Sequence, residues 1–506
     1  MPPRHILVLL LTAVVSLSCH QIAARNQMAN VVSMAGELIA TQSLYPVDRE
    51  QLLTSAIDGM LENLDVHSYY LSGTAADDRL EFLNQAYAGL GIHIRREPSN
   101  QSVLIVKPLF GSPAMEVGLA AGDQIVRIDG RAVAEIESFD EIRGLLKGAE
   151  GTQVQLDVQR WQADLQDWLS WSVSVVRRVI PTFTVVGDRP DDQGSWHFAL
   201  EEQPEIGYVR IKQFGTRTVD ELKQALAKID GRVSGLILDL RENGGGLLEA
   251  AIGVCDHFLD RPDQVIVTIR NRQGEVQQAY GSSGEGVSRA RVPMVVLVNG
   301  GSASASEIVA ACFQDYGVAT VIGEQTFGKG TVQTQFSLPR SRTFLNLTTA
   351  SYWRPNGQNI HRMRWRSAAK NGPETEWGDP ANGATDWGVR PSSEDLTIRL
   401  NVRDRAILAA LYDRRELGLP LEEIEERMKE TAEQIAAEQR EAQEAGVGSP
   451  VNRAITEPPD QIQFDDPRSL TQRDPQLRRA LELLTAAKPT IAGQGASPAR
   501  PSLPQP

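Results

Sequence analysis

Two short stretches constrain the fold more than anything else in the chain: SGLILDL (residues 234–240) and PMVVLVN (residues 293–299). Each is almost continuously apolar, runs into a glycine-rich turn and is followed by a helical pattern. A strand with one wet face alternates apolar and polar residues, whereas an unbroken apolar run needs cover on both faces. Residues 179–400, which contain both runs, are therefore expected to form an α/β core with buried strands.

The flanking regions read differently. In residues 27–86, Leu52, Leu53, Ile57, Met60 and Leu61 recur at helical spacing, which predicts an N-terminal helical region. GIHI, SVLIVKPL and QIVRIDG are brief β-type runs, Ser112 to Gly118 suits a short helix, and VQLDVQRW with WSVSVVRRV reads as a hairpin. These predict a compact α+β module at 87–178. Residues 401–488 read as a C-terminal helical extension. Within it Leu421, Ile424, Met428 and Ile435 make a narrow stripe, read as a helix packing on its own domain rather than a coiled coil. Asp474-Pro475 then starts the helix QLRRALELL. Residues 489–506, rich in Pro, Ala, Gly and Ser, are expected to be disordered.

A net charge of −14 without clustered Lys and Arg argues against a nucleic-acid partner. Arg4 precedes an apolar run from Ile6 to Leu17, so residues 1–26 read as an export signal or anchor, and the location as periplasm or cell envelope. Cys19 follows only a loose lipoprotein-type site; lipidation there, cleavage near Ala23-Ala24 and retention as an anchor stay open. Cys255 and Cys312 fall in apolar surroundings and read as buried thiols rather than a disulfide. With no CxxC or HExxH spacing, neither a metal nor another cofactor is expected.

The stretch NGGSASASE (residues 299–307) spaces three serines between a glycine turn and a helix. One reading is a capping box, Ser304 to Glu307, satisfying amides at the helix start. The other makes Ser304 a nucleophile at a strand-to-helix turn, beside amides that favour negative charge. A nucleophile needs a base. His67, His93, His197, His257 and His361 share no pattern with it, and no GxSxG elbow is present. Lys329, between two glycines in EQTFGKGTVQ, is the better candidate, with an exposed loop cation as the alternative. A lysine of pKa about 10.4 becomes a useful base once desolvation lowers it by about three units. Gln333, four residues on, would share a strand face with Lys329 and hold its amine.

SASASE followed by TFGKGTVQ, together with LILDLRENGGG, LDVHSYYL, AGLGIHI and SPAMEVGLAAGDQIVRIDG, resembles the carboxyl-terminal processing (tail-specific) proteases, Ser/Lys-dyad peptidases with a PDZ domain. The resemblance runs from about residue 30 to 400. It implies a multidomain chain, α+β in the PDZ domain (87–178) and crotonase-like α/β in the protease core. It also implies Ser304 as nucleophile, Lys329 as general base, Gln333 as orienting partner, and the amides of Ala305 and the Gly245/Gly246 turn as oxyanion hole. Ser302 and Ser306 become turn and helix-start residues. The Gly89-Leu90-Gly91-Ile92 loop would offer amides to a substrate's terminal carboxylate, making proteins with apolar C-terminal tails the partners. An activating adaptor or lipoprotein partner, membrane association through the N-terminus and homo-oligomerisation stay open.

Two departures from the family pattern stand out. Gly244 replaces the usual proline before the paired glycines, and residues 361–386 intervene before Trp387-Gly388-Val389-Arg390-Pro391. The rival functions are a non-catalytic PDZ adaptor with a protease-like core and a crotonase-type acyl-CoA enzyme.

Overall fold

The computed structural model describes residues 27–62, 64–72, 86–96, 102–191, 193–286, 292–338, 343–365, 375–377, 387–417 and 474–486. Residues 1–26, most of the insertion, the stripe of Leu421, Ile424, Met428 and Ile435, and the tail 489–506 lie outside the described residues. The chain divides into two compact units.

The smaller unit comprises Met1–Ser72 with Gln335–Leu347 and Trp365–Thr375. Its helices α1 (Gln27–Gln42) and α2 (Arg49–Leu61) occupy the region where helical spacing was expected. Asp48 caps α2 by accepting the Glu50 amide at 3.0 Å, and Arg49 makes a two-pronged, exposed pair with Glu37. Strand β1 (Tyr69–Leu71) pairs antiparallel with residues 344–346.

The larger unit begins with the α+β module expected at 87–178. Strands β2 (Ala86–Gly89), β3 (Ile92–Arg96), β4 (Val103–Pro108), β5 (Gln124–Ile128) and β6 (Arg131–Ala132) precede helix α3 (Phe139–Leu146). Strands β7 (Gln153–Gln162), β8 (Asp167–Val176) and β9 (Arg178–Pro181) follow it. The sheet order is β3-β4-β5-β7-β8 with β6 on β5, while β2 pairs with β9. β7 and β8 form the expected hairpin, in unbroken register from Gln153↔Val176 to Gln162↔Asp167. Val103, Ile105, Ile125, Leu156 and Val158 turn inward and meet Ile142 and Leu146 of α3. Ser112 caps the single helical turn Pro113–Glu116 through the Met115 amide.

The core is built on a second sheet. β10 (Val185–Val186) leads through the ribbon β11 (Arg189–Pro190) and β12 (Trp196–His197) to β13 (Ile206–Ile211), helix α4 (Thr218–Ile229) and β14 (Gly235–Asp239). Next come α5 (Leu248–Phe258), the paired strands β15 (Pro262–Arg270) and β16 (Val276–Ser283), then β17 (Met294–Val298), α6 (Ala305–Asp315) and β18 (Thr320–Gly323). The order is β10-β13-β14-β17-β18, and β13, β14, β17 and β18 run parallel. Beyond it, β19 (Thr331–Ser337) pairs with β20 (Phe344–Trp353).

The continuous apolar runs have the expected cause: both faces are covered. Leu236, Leu238 and Leu240 face α4, α5 and α6, with Leu222, Val254, Ile308 and Val309 among the contacts. Ile237, Val295, Leu297 and Ile322 face the other way, onto Leu477, Leu481 and Leu484 of helix α8 (Pro475–Ala486), which follows α7 (Val402–Leu417). The helix expected in a C-terminal extension is thus part of the core. Its apolar stripe covers a sheet face that would otherwise be wet, each fully buried leucine contributing about 1.5–3 kcal/mol. Its start is capped as expected, with Asp474 Oδ1 accepting the Gln476 and Leu477 amides at 3.1 and 3.0 Å. A buried polar cluster pins both C-terminal helices to β14. Asp239 accepts the Tyr208 and Tyr412 hydroxyls and a pair of Arg241 donors, and Arg241 also donates to Asp474. Burial pushes the Asp239 carboxyl up, but the Arg241 and Arg210 guanidiniums and the Tyr412 hydroxyl together outweigh it and hold the pKa at about 2.

Candidate active site

The three neighbouring parallel strands β14, β17 and β18 each end in a loop that carries candidate residues: 240–246, 299–304 and 324–330. A crevice outside the carboxyl ends of parallel strands is where open α/β sheets place their sites.

In the loop after β17 the three serines separate cleanly. Ser302 donates its hydroxyl to the Leu240 carbonyl at 2.8 Å and accepts the Asn299 amide at 3.0 Å. Ser306 donates to the Asn243 carbonyl at 2.8 Å. Both are fully buried and clasp the neighbouring loop after β14. Ser304 is 9% exposed and occupies the N-cap of α6 with φ 56° and ψ −113°. A non-glycine residue at positive φ is strained, and such strain concentrates where a side chain must be aimed. One arm of the capping box is present: Glu307 accepts the Ser304 amide at 2.8 Å, while the Ser304 hydroxyl makes no cap bond. The Ser304 carbonyl in turn takes the amides of Glu307 and Ile308. The two readings of the motif are therefore compatible: the box fixes the backbone that presents the hydroxyl.

Glu307 does more than cap. Its Oε2 accepts the amides of Ser304 and Lys329, both at 2.8 Å. Its Oε1 accepts the Thr326 hydroxyl at 2.5 Å and the Gly328 amide at 2.7 Å. The carboxyl is completely buried. Burial pushes its pKa up to about 7, against the pull of those four hydrogen bonds. This one side chain holds the Lys329 loop to the start of the serine helix.

Lys329 itself is half-buried and lies just before β19, so the strand periodicity linking it to Gln333 does not reach it. Gln333 lies within β19, where its amide nitrogen donates to the Thr331 and Thr348 hydroxyls at 2.8 and 3.2 Å. That anchoring leaves the amide oxygen as the end that can accept from an ammonium.

The glycine turn needs one correction. The Gly245 amide is donated to Asn243 Oδ1 at 2.9 Å, a bond it would have to release to serve as an oxyanion donor. Gly245 also serves close approach. At φ +100° a Cβ there would lie 2.7 Å from the Ala303 carbonyl oxygen and 2.9 Å from Ser304 Cβ. Gly246 bridges Phe214 through its neighbours, with Phe214 N–H donating to Gly245 O and Leu247 N–H to Phe214 O. Among the described residues, the amides of Ala305 and Gly246 have no hydrogen-bond partner.

In the α+β module the Gly89-Leu90-Gly91-Ile92 segment joins β2 to β3, and β3 is an edge strand. Leu90 is a core side chain. The Leu90 and Gly91 carbonyls accept the Ala114 and Leu109 amides, so the loop's acceptors are turned inward. Gly91 sits at φ +73° against Ser112, whose Cβ would be 2.4 Å from a side chain there. Ile92, Ile94, Phe139 and Leu145 are half-buried and pack against the module's core.

Asn243 is the residue the sequence reading missed. It is fully buried, donates to the Ile211 carbonyl, accepts the Gly245 amide, and its own carbonyl takes the Ala303 amide and the Ser306 hydroxyl. Its place inside LRENGGG, a polar residue between a buried strand and a glycine turn, was the available signal. Cys255 and Cys312 are buried thiols, and burial raises the Cys255 thiol well above its ordinary range.

Comparison with known proteins accords with this arrangement. Residues 205–365 match peptidase family S41 and residues 106–160 match the PDZ domain. The chain is 35% identical over 329 residues to the carboxy-terminal-processing protease of Bartonella bacilliformis, covering 64% of this chain and 70% of that one. It is 33% identical over 334 residues to the carboxy-terminal processing protease CtpA of Bacillus subtilis, covering 65% and 66%. It is 34% identical over 318 residues to the carboxyl-terminal-processing protease of a Synechocystis species, covering 62% and 70%. With a PDZ module beside an S41 core and serine and lysine loops joined at one carboxylate, this chain belongs to the carboxy-terminal processing proteases, PDZ-bearing serine-type peptidases of family S41.

Proposed function

We propose that this chain is an exported endopeptidase that selects proteins by an apolar C-terminal tail and cleaves them with Ser304 and Lys329. One observation carries the dyad: the Ser304 and Lys329 amides share one oxygen of Glu307, while the hydroxyls of Ser302 and Ser306 are spent on backbone carbonyls. In this reading neutral Lys329 takes the Ser304 proton as the hydroxyl oxygen attacks the substrate carbonyl. The resulting oxyanion is met by the amides of Ala305, at the positive end of α6, and Gly246. Lys329 returns the proton to the leaving amine, and then activates the water that hydrolyses the acyl ester. Gln333, anchored on two threonines, keeps its oxygen toward the amine.

Tail selection rests on the PDZ edge. The inward carbonyls at Leu90 and Gly91 leave amides as the groups the loop offers to a carboxylate, and edge strand β3 can pair with an extended peptide. Export rests on Arg4 and the apolar run to Leu17, with the periplasm or cell envelope as destination. The test is labelling by a serine-directed acylating probe followed by peptide mapping. Modification at Ser304, lost in both Ser304→Ala and Lys329→Ala, is expected. Because arginine cannot be deprotonated in a protein, Lys329→Arg should also fail to label. Labelling at Ser302 or Ser306, or full labelling of Lys329→Ala, would overturn the dyad.

A further inference from the structure

The insertion at 361–386 has its two ends built into the lysine loop. The Arg362 amide donates to the Gly328 carbonyl at 2.8 Å, and the Gly388 amide donates to Ile360 at 2.8 Å, bringing the two ends together. On the far end, Val389 exchanges bonds with Thr326: its carbonyl takes the Thr326 amide at 3.0 Å and its amide donates to the Thr326 hydroxyl at 2.7 Å. Gln325 donates its side-chain amide to the Trp387 carbonyl at 2.7 Å. Side chains complete the pattern. The Arg362 guanidinium carbon lies 4.5 Å from the centroid of the Trp387 ring. Both residues press on Gly328, where an added Cβ would sit 2.7 Å from Arg362 Cβ and 2.7 Å from Trp387 Cε3. A Cβ at Gly330 would lie 2.3 Å from the His361 amide nitrogen.

Resting on the reading of Lys329 as base, we propose that the Arg362–Trp387 stack is the clamp that seats the Lys329 loop, and that both are positioning residues for the reaction. In Gly-Lys-Gly only the lysine carries a side chain, and glycine has the most conformational freedom to lose. Its lysine has four rotatable bonds, so a fixed amine needs a fixed backbone and walls beside it. Glu307 grips the loop by the Gly328 and Lys329 amides, and the insertion's first end grips it by the Gly328 carbonyl. The glycines at 328 and 330 are what let those walls approach. A guanidinium stacked on tryptophan is planar and directional, which a lysine could not reproduce. The insertion is thus tied to the lysine loop through Arg362 at its first end and Trp387 directly after its last.

The experiment measures kcat, KM and Tm on one reporter peptide for wild type, Lys329→Ala, Arg362→Ala, Arg362→Lys, Trp387→Ala, Trp387→Phe and a variant with residues 364–385 replaced by a short Gly-Ser linker. Misplacing a catalytic group by about 1 Å costs on the order of 10²-fold, so Arg362→Ala and Trp387→Ala should lose about that much kcat with KM within about threefold. Trp387→Phe, which keeps an aromatic face, should retain most activity, and Arg362→Lys should not. The linker variant should match wild type. Wild-type kcat in both alanine variants, with Lys329→Ala dead, would overturn the clamp and leave the dyad standing. An active Lys329→Ala would instead remove the base assignment beneath it. A linker variant that keeps its Tm but loses as much kcat as Arg362→Ala would assign the seat to the body of the insertion and overturn the stack. Should the alanine variants unfold, equal kcat for Arg362→Lys and Trp387→Phe overturns the proposal too.

Discussion

The backbone amides of Ser304 and Lys329 donate to the same oxygen of Glu307, each at 2.8 Å. The two residues are thereby registered through one buried atom rather than through the long lysine side chain. Replacing the carboxylate by an amide keeps the volume but turns one acceptor end into a donor facing N–H groups. Glu307→Gln should lower kcat on the order of 10²-fold with KM little changed, as loss of positioning predicts. Steady-state kinetics at saturating reporter checks it; an unaltered kcat would show that the shared oxygen does not set the geometry.

The same residue predicts opposite pH trends for stability and activity. Burial raises the folded pKa of Glu307 from its ordinary 4.5 to about 7, so the folded state binds the proton more tightly than the unfolded chain. Its stabilising contribution is fully present below 4.5 and lost as pH rises through 7, an effect of about 3 kcal/mol. Activity needs the carboxylate as a four-fold acceptor and a neutral lysine, so kcat/KM should rise over the same window. Thermal melts from pH 5 to 8 should show Tm falling in wild type, with this component absent in Glu307→Gln. A Tm that climbs through the window by the same amount in both proteins would contradict the assignment.

Among the serines, only Ser304→Ala should abolish cleavage while leaving the protein folded. Ser306→Ala removes a buried hydrogen bond to the Asn243 carbonyl, which still receives the Ala303 amide. Its expected cost is about 1 kcal/mol of stability with cleavage retained. Chemical denaturation and a cleavage assay on both variants decide the register. A dead Ser306→Ala beside an active Ser304→Ala would reverse it.

Tail recognition should depend on charge at the substrate's C-terminus. A charge-assisted hydrogen bond is about twice as strong as a neutral one, so amidating an Ala-Ala tail, or changing it to Asp-Asp, should lower kcat/KM severalfold. Gly91→Ala should act similarly on wild-type substrate, because it forces a side chain against Ser112 at φ +73°. Equal kcat/KM for the three tails would remove the PDZ edge from substrate choice.

Local chemistry made much of this legible in the sequence. Unbroken apolar runs at 234–240 and 293–299 meant covered strands, and both lie in the parallel sheet with a covered face on each side. The alternation in VQLDVQRW and WSVSVVRRV meant a hairpin, and β7 and β8 pair accordingly. Ser112 and Asp474 cap the helices their positions announced.

What the sequence by itself determined was therefore residue type and local period: which runs are strands, which serines stand at a helix start, which lysine sits among glycines. Which serine hydroxyls are consumed, that Gly245 gives its amide to Asn243, and that α8 roofs the core sheet were decided only by the tertiary structure. So was the joining of Ser304, Thr326, Gly328 and Lys329 on Glu307. The reason is physical. A capping box reaches three residues and a strand repeats every two, but the bond from Lys329 to Glu307 exists because β17 and β18 lie side by side and bring their ends together. No local pattern carries that adjacency; the packed sheet does.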